Sequence, residues 1–326
     1  MLSPGSGGYV RVGLGMGESG LPLVSVMIAT RNRVALLQRA LGSVVSQDYP
    51  RVEILIADDA SEDGTSGSVR SQYPGARLFR FEENRGLVVA RNVLMREAKG
   101  EYIVSLDDDA YFLNADAISN VVRRMQQEPE IGVVTFQIRQ PGRAESDRER
   151  VEHYTHLFGG GRHCLRRAVL EDVGGYREFF FHQGEESDLS LHLLDKGYRI
   201  LFFPGATVFH EKAGMGRDST RIPKYTIRNL LLRSWLNEPF PWWVLSTGNT
   251  IARCVAKGAR AGNLRHVIGG FWSAIGEIPR VISLRRPVSS RTVWLYLALR
   301  RGVIADTSAI RSVYQDPPRG VRNLFG

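Results

Sequence analysis

Short apolar runs and segments of helical periodicity alternate through the first two thirds of the chain. Apolar runs without strict alternation occupy Leu23–Thr30, Val52–Asp59 and residues 102–109, a pattern typical of strands buried on both faces. Between them, apolar residues recur at helical spacing in Val34–Gln47 and in residues 87–100. This alternation predicts right-handed strand–helix–strand units and a mostly parallel sheet.

The pattern changes in the second half of the chain. A helical segment at residues 114–127 precedes a strand at Gly132–Arg139. The stretch Gln140–Thr155 is rich in Arg, Glu and Asp and lacks periodicity, which predicts a mobile loop. Beyond Pro223 the sequence becomes helical and basic, with Arg and Lys interleaved among Leu, Trp and Val.

Acidic side chains collect where the predicted strands end. Asp59 closes one strand, and Asp107, Asp108 and Asp109 close another. Ligands of parallel sheets bind beyond the carboxyl ends of the strands. Three adjacent carboxylates repel one another unless a positive group lies among them, and Mg²⁺ or Mn²⁺ takes carboxylate oxygens together with substrate phosphates. The sequence therefore predicts a site for a divalent cation and a diphosphate at this edge.

The glycine-rich beginning of the chain contains a misleading motif. Residues 15–20 match the G-x-G-x-x-G pattern of dinucleotide-binding sites by letter. That motif needs a strand before it and a helix after it, whereas here the predicted strand follows it. We therefore expect residues 1–21 to form a flexible leader, and we discard the interpretation as a dinucleotide-dependent dehydrogenase.

An ordered series of motifs resembles family 2 glycosyltransferases, the inverting enzymes of GT-A fold, in the type that builds bacterial cell-surface polysaccharides and includes rhamnosyltransferases. The series in the first half is "VSVMIATRNR", "IADDASEDGT", "ENRGLVVARN" and "GEYIVSLDDDA". Later stretches similar to that family's acceptor and catalytic segments are "GGGRHCLRRAVLEDVGGYRE", "GEESDLSLHLLDKGYRI" and "FPGATVFH". The resemblance spans about Leu23 to His210.

The resemblance implies an α/β protein of GT-A fold. We expect a single Rossmann-like, mostly parallel sheet flanked by helices, with a helical extension at the C-terminus. The catalytic domain is expected at residues 22–222, with a nucleotide-binding half at 22–110 and an acceptor and catalytic half at 111–222. A basic helical region is expected at residues 223–326.

The resemblance also implies a binding site for a nucleotide-diphosphate sugar. Thr30, Arg31 and Asp59 would hold the nucleotide base. The ribose and diphosphate would lie beside Gly86, Arg91, Asp107 and Asp108.

The same resemblance implies a divalent metal, Mg²⁺ or Mn²⁺, bound by Asp109 and His210. The triplet permits two registers of the family's D-x-D pattern, so the role of Asp107 stays open between metal and nucleotide. The alternative to a metal-ligand role for His210 is a purely structural role at the end of a strand.

A second acidic cluster lies at the start of a predicted helix, where the helix macrodipole favours acids in any case. The resemblance implies that Glu186 is the general base, which takes the proton of the acceptor hydroxyl. Glu185 competes for this role, and Asp188 is expected to cap or orient the helix. The family more often has Asp at position 186, and His192 stands where an Arg is usual.

The two parts of the chain carry opposite charge. From Glu211 to the end there are 19 Lys and Arg against 6 Asp and Glu, whereas the preceding residues carry 24 against 28. The basic part has no recognisable nucleic-acid-binding module, so we expect no nucleic acid. Its interpretation stays open between a solvated helical cap and a surface that lies on an anionic membrane.

Two observations bear on the cellular compartment. Cys164 and Cys254 have no partners at metal-ligand spacing, which indicates a reduced, cytoplasmic protein. No run of 18 uncharged apolar residues predicts a spanning helix. We expect a cytoplasmic protein, peripheral on the inner face of the membrane if the basic part binds lipid.

The expected function is inverting transfer of a sugar from a nucleotide-diphosphate sugar to a glycan or lipid-linked acceptor in cell-surface glycan synthesis. Two alternatives stay open. A sugar-phosphate nucleotidyltransferase would also use an acidic metal site on such a sheet, with Thr30–Arg33 as its activating segment. A non-catalytic sugar-nucleotide binding protein would keep the triplet and lack the base.

Overall fold

The structure is a computed structural model that describes residues 20–181, 183–211, 221–302 and 310. The predicted leader lies outside the described residues except for its last two positions. Most of the G-x-G-x-x-G stretch is outside them as well.

The predicted alternation of strands and helices is confirmed through residue 127. The elements of this half are β1 (Val24–Thr30), α1 (Val34–Val45), β2 (Val52–Asp58), α2 (Thr65–Gln72), β3 (Arg77–Arg80), α3 (Leu87–Glu97), β4 (Tyr102–Asp107), β5 (Ala110–Phe112) and α4 (Ala117–Gln127).

The second half mixes further strands with helices and ends in a run of helices. Its elements are β6 (Ile131–Arg139), β7 (His153–Thr155), β8 (Arg162–Arg166), α5 (Arg167–Val173), α6 (Glu185–Asp195), β9 (Arg199–His210), α7 (Arg221–Asn237), α8 (Trp242–Arg260), α9 (Leu264–Ile275), α10 (Ile278–Leu284) and α11 (Ser290–Arg301).

One sheet contains all these strands, in the order β3-β2-β1-β4-β8-β6-β9-β5, with β7 paired to β9. Strands β1, β2, β3 and β4 are parallel neighbours. Strand β8 is antiparallel to both β4 and β6, so β6 and its parallel neighbour β9 again run in the direction of β1. Six strands thus share one direction, and the mostly parallel sheet is confirmed.

Both faces of the sheet are covered by helices. On one face, buried residues of α1, α4 and α11 pack against β1, β4 and β9. On the other, α3, α5 and α6 pack against β1, β2 and β6. A third cluster joins Phe180 to α7, α9 and α10 and forms the core of the helical extension.

The short strand β5 has a direct consequence for the site. It follows the aspartate triplet at once and pairs with the end of β9, so that Ala110 lies opposite His210. This antiparallel pairing brings His210 beside Asp109, a hundred residues away in the chain.

The stretch Gln140–Thr155 differs from the mobile loop that we predicted. A 3₁₀ turn at Asp147–Arg150 is closed by a capping box between Ser146 and Glu149, and β7 then adds to the edge of β9. The polar composition of the stretch supplies the side chains of this local hydrogen bonding, which has no apolar period to reveal it.

None of the helices that the structure describes combines the length and the apolar character needed to cross a bilayer.

Candidate active site

The carboxyl ends of three neighbouring strands form the base of the site. Thr30 of β1 is in register with Asp58 of β2, and Ala29 is in register with Asp107 of β4. The aspartate triplet therefore begins beside the end of β1. Asp108 and Asp109 are buried, whereas the side chain of Asp107 is about a third exposed.

Asp108 points toward the first strand. Its carboxylate accepts a hydrogen bond of 2.9 Å from Thr30 Oγ1 and another of 2.9 Å from Arg33 Nη1. Burial raises the pKa of Asp108 to about 6, although Arg33 and Thr30 act in the opposite direction. Arg33 also lies 3.5 Å from Asp109 Oδ2. Arg33 is thus one positive group among the three carboxylates. From the sequence, it was included only in Thr30–Arg33, the activating segment of the nucleotidyltransferase alternative.

Asp107, Asp109 and His210 form a group that could hold a metal ion. One ligand atom from each lies within 4.8 Å of the others. Asp109 Oδ1 is 2.9 Å from His210 Nε2, yet among the described residues this buried nitrogen has no hydrogen-bond partner of good geometry. The other ring nitrogen, Nδ1, is 3.2 Å from the side-chain amide of Gln140. The two carboxylates suit Mn²⁺ or Mg²⁺, so these residues fit the predicted cation.

Arg91 connects this group to the second acidic cluster. Its guanidinium is buried and donates a hydrogen bond of 2.8 Å from Nη2 to Asp107 Oδ1. Arg91 Nη1 lies 3.6 Å from Glu185 Oε1 and 3.5 Å from Glu186 Oε1. One cation from α3 therefore faces carboxylates from β4 and from the first turn of α6.

The two glutamates differ in exposure. Glu185 is only 2% exposed, and in the described part of the chain its Oε2 lacks a hydrogen-bond partner. The side chain of Glu186 is 18% exposed. Burial, and then the neighbouring carboxylate of Glu185, raise the pKa of Glu186 from its ordinary 4.5 to about 8. Glu186 is thus the glutamate whose carboxyl group both meets solvent and holds a proton near neutral pH.

Three consecutive glycines allow the backbone to approach these carboxylates. Ser105 Oγ donates to the carbonyl of Gly160, and the Asp107 amide donates to that of Gly161. A Cβ on Gly160 would collide with Glu186, and one on Gly161 would collide with Asp107. These glycines line a cavity of about 110 Å³ together with Asp107 and His210.

The predicted nucleotide-binding residues are only partly brought together. Asp59 accepts hydrogen bonds from the backbone amides of Arg85 (2.7 Å) and Gly86 (3.0 Å). It thereby holds the turn before α3, where Gly86 has a positive φ of 89°. Thr30 binds Asp108 and so joins the triplet. Arg31 is exposed at the end of β1.

Asp188 has different partners from Glu185 and Glu186. Asp188 Oδ1 accepts hydrogen bonds from Arg177 (3.0 Å) and from Asn237 of α7 (2.6 Å). His192, one turn later on α6, contacts Asn237 as well. Helical spacing turns residues 188 and 192 to the same side of α6, so both fasten this helix to α7.

Comparison with known proteins is consistent with this geometry. Residues 25–182 match the family model described as glycosyl transferase family 2. A segment of 110 residues is 34% identical to UDP-Glc:alpha-D-GlcNAc-diphosphoundecaprenol beta-1,3-glucosyltransferase WfaP of Escherichia coli, covering 33% of this chain and 43% of that protein. The matches span less than half of the length of such curated relatives.

Two solved structures are similar in fold. TarS of S. aureus, residues 1–349, aligns with 91% of this chain and 92% of its own, with a TM-score of 0.59 and 18% identity. Mannosyltransferase PcManGT of Pyrobaculum calidifontis, in complex with GDP-Man and Mn²⁺, aligns with 79% of this chain and 88% of its own, with a TM-score of 0.54 and 21% identity. The expected GT-A fold with a helical extension is confirmed.

The raised pKa of Glu186 predicts a pH-dependent stability. The folded state holds a proton on Glu186 from its ordinary pKa of 4.5 up to about 8. In this window it binds more protons than the unfolded state, so this group lowers the free energy of unfolding as pH rises. Glu186→Gln should therefore gain stability relative to the wild type between pH 5 and 8.5, as measured by urea unfolding without metal. The exposed Glu82→Gln is the control, and parallel pH profiles for wild type and Glu186→Gln would contradict the assignment.

Proposed function

Because residues 25–182 match the family model described as glycosyl transferase family 2, we propose that the chain is a glycosyltransferase of this family. It would transfer a sugar from a nucleotide-diphosphate sugar to an acceptor hydroxyl with inversion. The observation that carries this proposal is the bridge made by Arg91. It joins a predicted metal site at Asp107, Asp109 and His210 to the carboxyl group of Glu186. This carboxyl group retains a proton near neutral pH. A diphosphate-binding edge and a candidate base thus lie on two sides of one guanidinium.

The metal would be held by Asp107, Asp109 and His210. When bound, Mg²⁺ or Mn²⁺ neutralises charge on the departing diphosphate. This assignment takes the register of the D-x-D pattern in which Asp107 and Asp109 are the pair. Asp108 then has a supporting role, because its two oxygens already accept from Thr30 and Arg33.

Glu186 acts as the general base of the transfer. As the acceptor oxygen attacks the anomeric carbon and the bond from that carbon to the diphosphate breaks, Glu186 takes the hydroxyl proton. A base whose pKa is near the working pH is well suited to this step. We assign the role to Glu186 over Glu185, since Glu185 is nearly inaccessible to an acceptor. Glu185 instead helps to raise the pKa of its neighbour.

Arg91 is a positioning residue in this proposal. It is held between Asp107 and the two glutamates, where its charge offsets part of their mutual repulsion. Thr30, Asp59 and Gly86 then border the nucleotide, with Asp59 acting through the turn that it fixes. Arg31 is exposed at the same edge and is available to contact the nucleotide base.

We propose a lipid-linked glycan of the cell surface as the acceptor. The similar Escherichia coli enzyme acts, by its name, on a sugar linked to diphosphoundecaprenol. An acceptor of this kind lies in a membrane, and the exposed surface of α8, α9 and α10 suits contact with one. Of fourteen exposed large hydrophobic residues in the described part of the chain, ten lie between Phe240 and Leu284.

The charge of this surface favours an anionic bilayer. Its exposed cations are Arg253, Lys257, Arg260, Arg265 and Arg280, whereas Glu277 is the one acid in residues 242–284. Glu277 is paired with Arg228 and Arg280. Apolar side chains near basic ones are typical of helices that lie in the membrane interface. We therefore place the protein peripherally on the inner face of the membrane.

Sugar transfer is tested by incubating the protein with a panel of sugar nucleotides, lipid-linked acceptors and Mn²⁺ or Mg²⁺. Release of nucleoside diphosphate is expected, rising with pH toward about 8 as Glu186 loses its proton. Asp109→Asn and Glu186→Gln should each lower turnover by about a hundredfold or more, whereas Glu171→Gln, an exposed change on α5, should not.

Three results would count against this function. Pyrophosphate release from a nucleoside triphosphate and a sugar phosphate would indicate a nucleotidyltransferase. Nucleotide binding without turnover in the wild type would indicate a binding protein. Full activity of Glu186→Gln would remove Glu186 as the base.

Membrane contact is tested by co-sedimentation with vesicles. The wild type should bind phosphatidylglycerol vesicles better than phosphatidylcholine vesicles. Trp272 and Ile282 are 64% and 73% exposed, and burial of each side chain in lipid contributes about 2 kcal/mol. The double change Trp272→Gln, Ile282→Gln should therefore release most of the bound protein, whereas Leu113→Gln, outside this surface, should not. Equal binding of both variants would contradict the assignment.

A further inference from the structure

A second cleft opens next to the candidate active site. Its volume is about 360 Å³, and it lies between β6, β7 and the 3₁₀ turn that follows β6. Gly159 and Arg162 line both this cleft and the smaller cavity over the triplet. The two openings are therefore neighbours that share one wall.

The cleft has an excess of positive charge. Among the described residues that line it, three are arginines, Arg143, Arg148 and Arg162, and one is a carboxylate, Glu149. Glu149 is already engaged, since it pairs with Arg143 and accepts two hydrogen bonds of 3.0 Å from Ser146.

The remaining two arginines have no acidic partner. Among the residues that the structure describes, no carboxylate lies within 4.0 Å of Arg148 or Arg162. Arg162 donates one hydrogen bond to the carbonyl of Phe136, and Arg148 lies close to Gly302 at the end of α11. Within the described part of the chain, most of the guanidinium N–H donors of these two arginines thus have no hydrogen-bond partner.

Burial, and to a smaller extent positive neighbours, lower the pKa of two titratable groups at this cleft. Burial and the nearby Arg143 lower the pKa of Arg162. Burial, together with Arg300, Arg233 and Arg148, lowers the pKa of His156 to about 4. Additional positive charge is therefore disfavoured here, and an anion would relieve the repulsion between the arginines.

We propose that this cleft binds the phosphate or diphosphate group of the acceptor. Guanidinium groups bind phosphate oxygens through paired hydrogen bonds. Leu157, Phe158 and Phe202 supply apolar wall beside the arginines, suited to the first carbons of a chain attached to the phosphate. The donor diphosphate belongs with Asp107 and Asp109, so a second phosphate site points to the acceptor. This inference rests on the proposed function.

Calorimetry with inorganic pyrophosphate in the presence of EDTA tests the cleft directly, because without metal the carboxylate site does not favour an anion. The wild type should bind pyrophosphate, and Arg148→Gln should weaken binding by about tenfold to a hundredfold, the loss of hydrogen bonds to a charged group. Arg150→Gln is the matched control, since Arg150 lies in the same turn, pairs with Asp147 and does not line the cleft. It should bind as the wild type does.

Two further measurements distinguish the source of the phosphate. Adding undecaprenyl diphosphate to phosphatidylglycerol vesicles should increase binding of the wild type and not of Arg148→Gln. Binding of nucleoside diphosphate with Mn²⁺ should be the same in both proteins.

The proposal is overturned if Arg148→Gln binds pyrophosphate as tightly as the wild type. It is also overturned if this variant loses nucleoside diphosphate to the same extent, which would assign the cleft to the donor. If Arg148→Gln weakens binding to vesicles equally with and without the prenyl diphosphate, the cleft would be assigned to lipid headgroups. A wild type that binds pyrophosphate but no nucleoside diphosphate with Mn²⁺ would contradict the proposed transferase and not the anion site.

Discussion

The site depends on how a few cations hold several buried carboxylates close together. Asp107, Glu185 and Glu186 surround the guanidinium of Arg91, while Arg33 lies against Asp108 and Asp109. Removing carboxylates from water is costly unless each is paired or hydrogen-bonded. The pairing here is incomplete, because the buried Glu185 Oε2 has no hydrogen-bond partner among the described residues. The raised pKa values of Asp108 and Glu186 are consequences of this shortage of positive charge and solvent.

The sheet and the helical extension meet through the same acidic helix. Glu185 and Glu186 face the triplet, whereas Asp188 faces Arg177 and Asn237. One turn of α6 therefore positions the candidate base on one side and fastens α7 on the other. The basic, apolar surface of α8, α9 and α10 belongs to this extension, so a membrane that binds it would lie at a defined position relative to the active site. The cleft lined by Arg143, Arg148 and Arg162, for which we propose a phosphate ligand, lies close to the same carboxylates.

Much of this arrangement could be predicted from local sequence pattern. The apolar runs of β1, β2 and β4 and the periodicity of α1 and α3 are strong signals of strands and helices. The rule that ligands bind at the carboxyl ends of strands then predicted a binding site at the aspartate triplet. Long-range pairing was not accessible in the same way. Strand β5 has three residues and no period of its own, yet its pairing with β9 brings His210 to Asp109. The contacts of Arg33 and the different partners of Asp188 and Glu186 likewise depend on packing between distant elements. The 3₁₀ turn at 147–150 rests on polar hydrogen bonds alone.

The most direct test of the account is the binding of Mn²⁺, followed by electron paramagnetic resonance with a nucleoside diphosphate present. Residues that only orient metal ligands typically contribute about tenfold or more to metal affinity. Removal of a direct ligand should lower the affinity by at least as much. We predict that Asp109→Asn and His210→Ala each weaken Mn²⁺ binding by about tenfold or more. Asp108→Asn keeps an acceptor oxygen for Arg33, and its amide nitrogen can donate to the Thr30 hydroxyl, so this variant should bind Mn²⁺ nearly as the wild type does. Loss of binding in Asp108→Asn together with normal binding in His210→Ala would contradict the metal site at Asp107, Asp109 and His210.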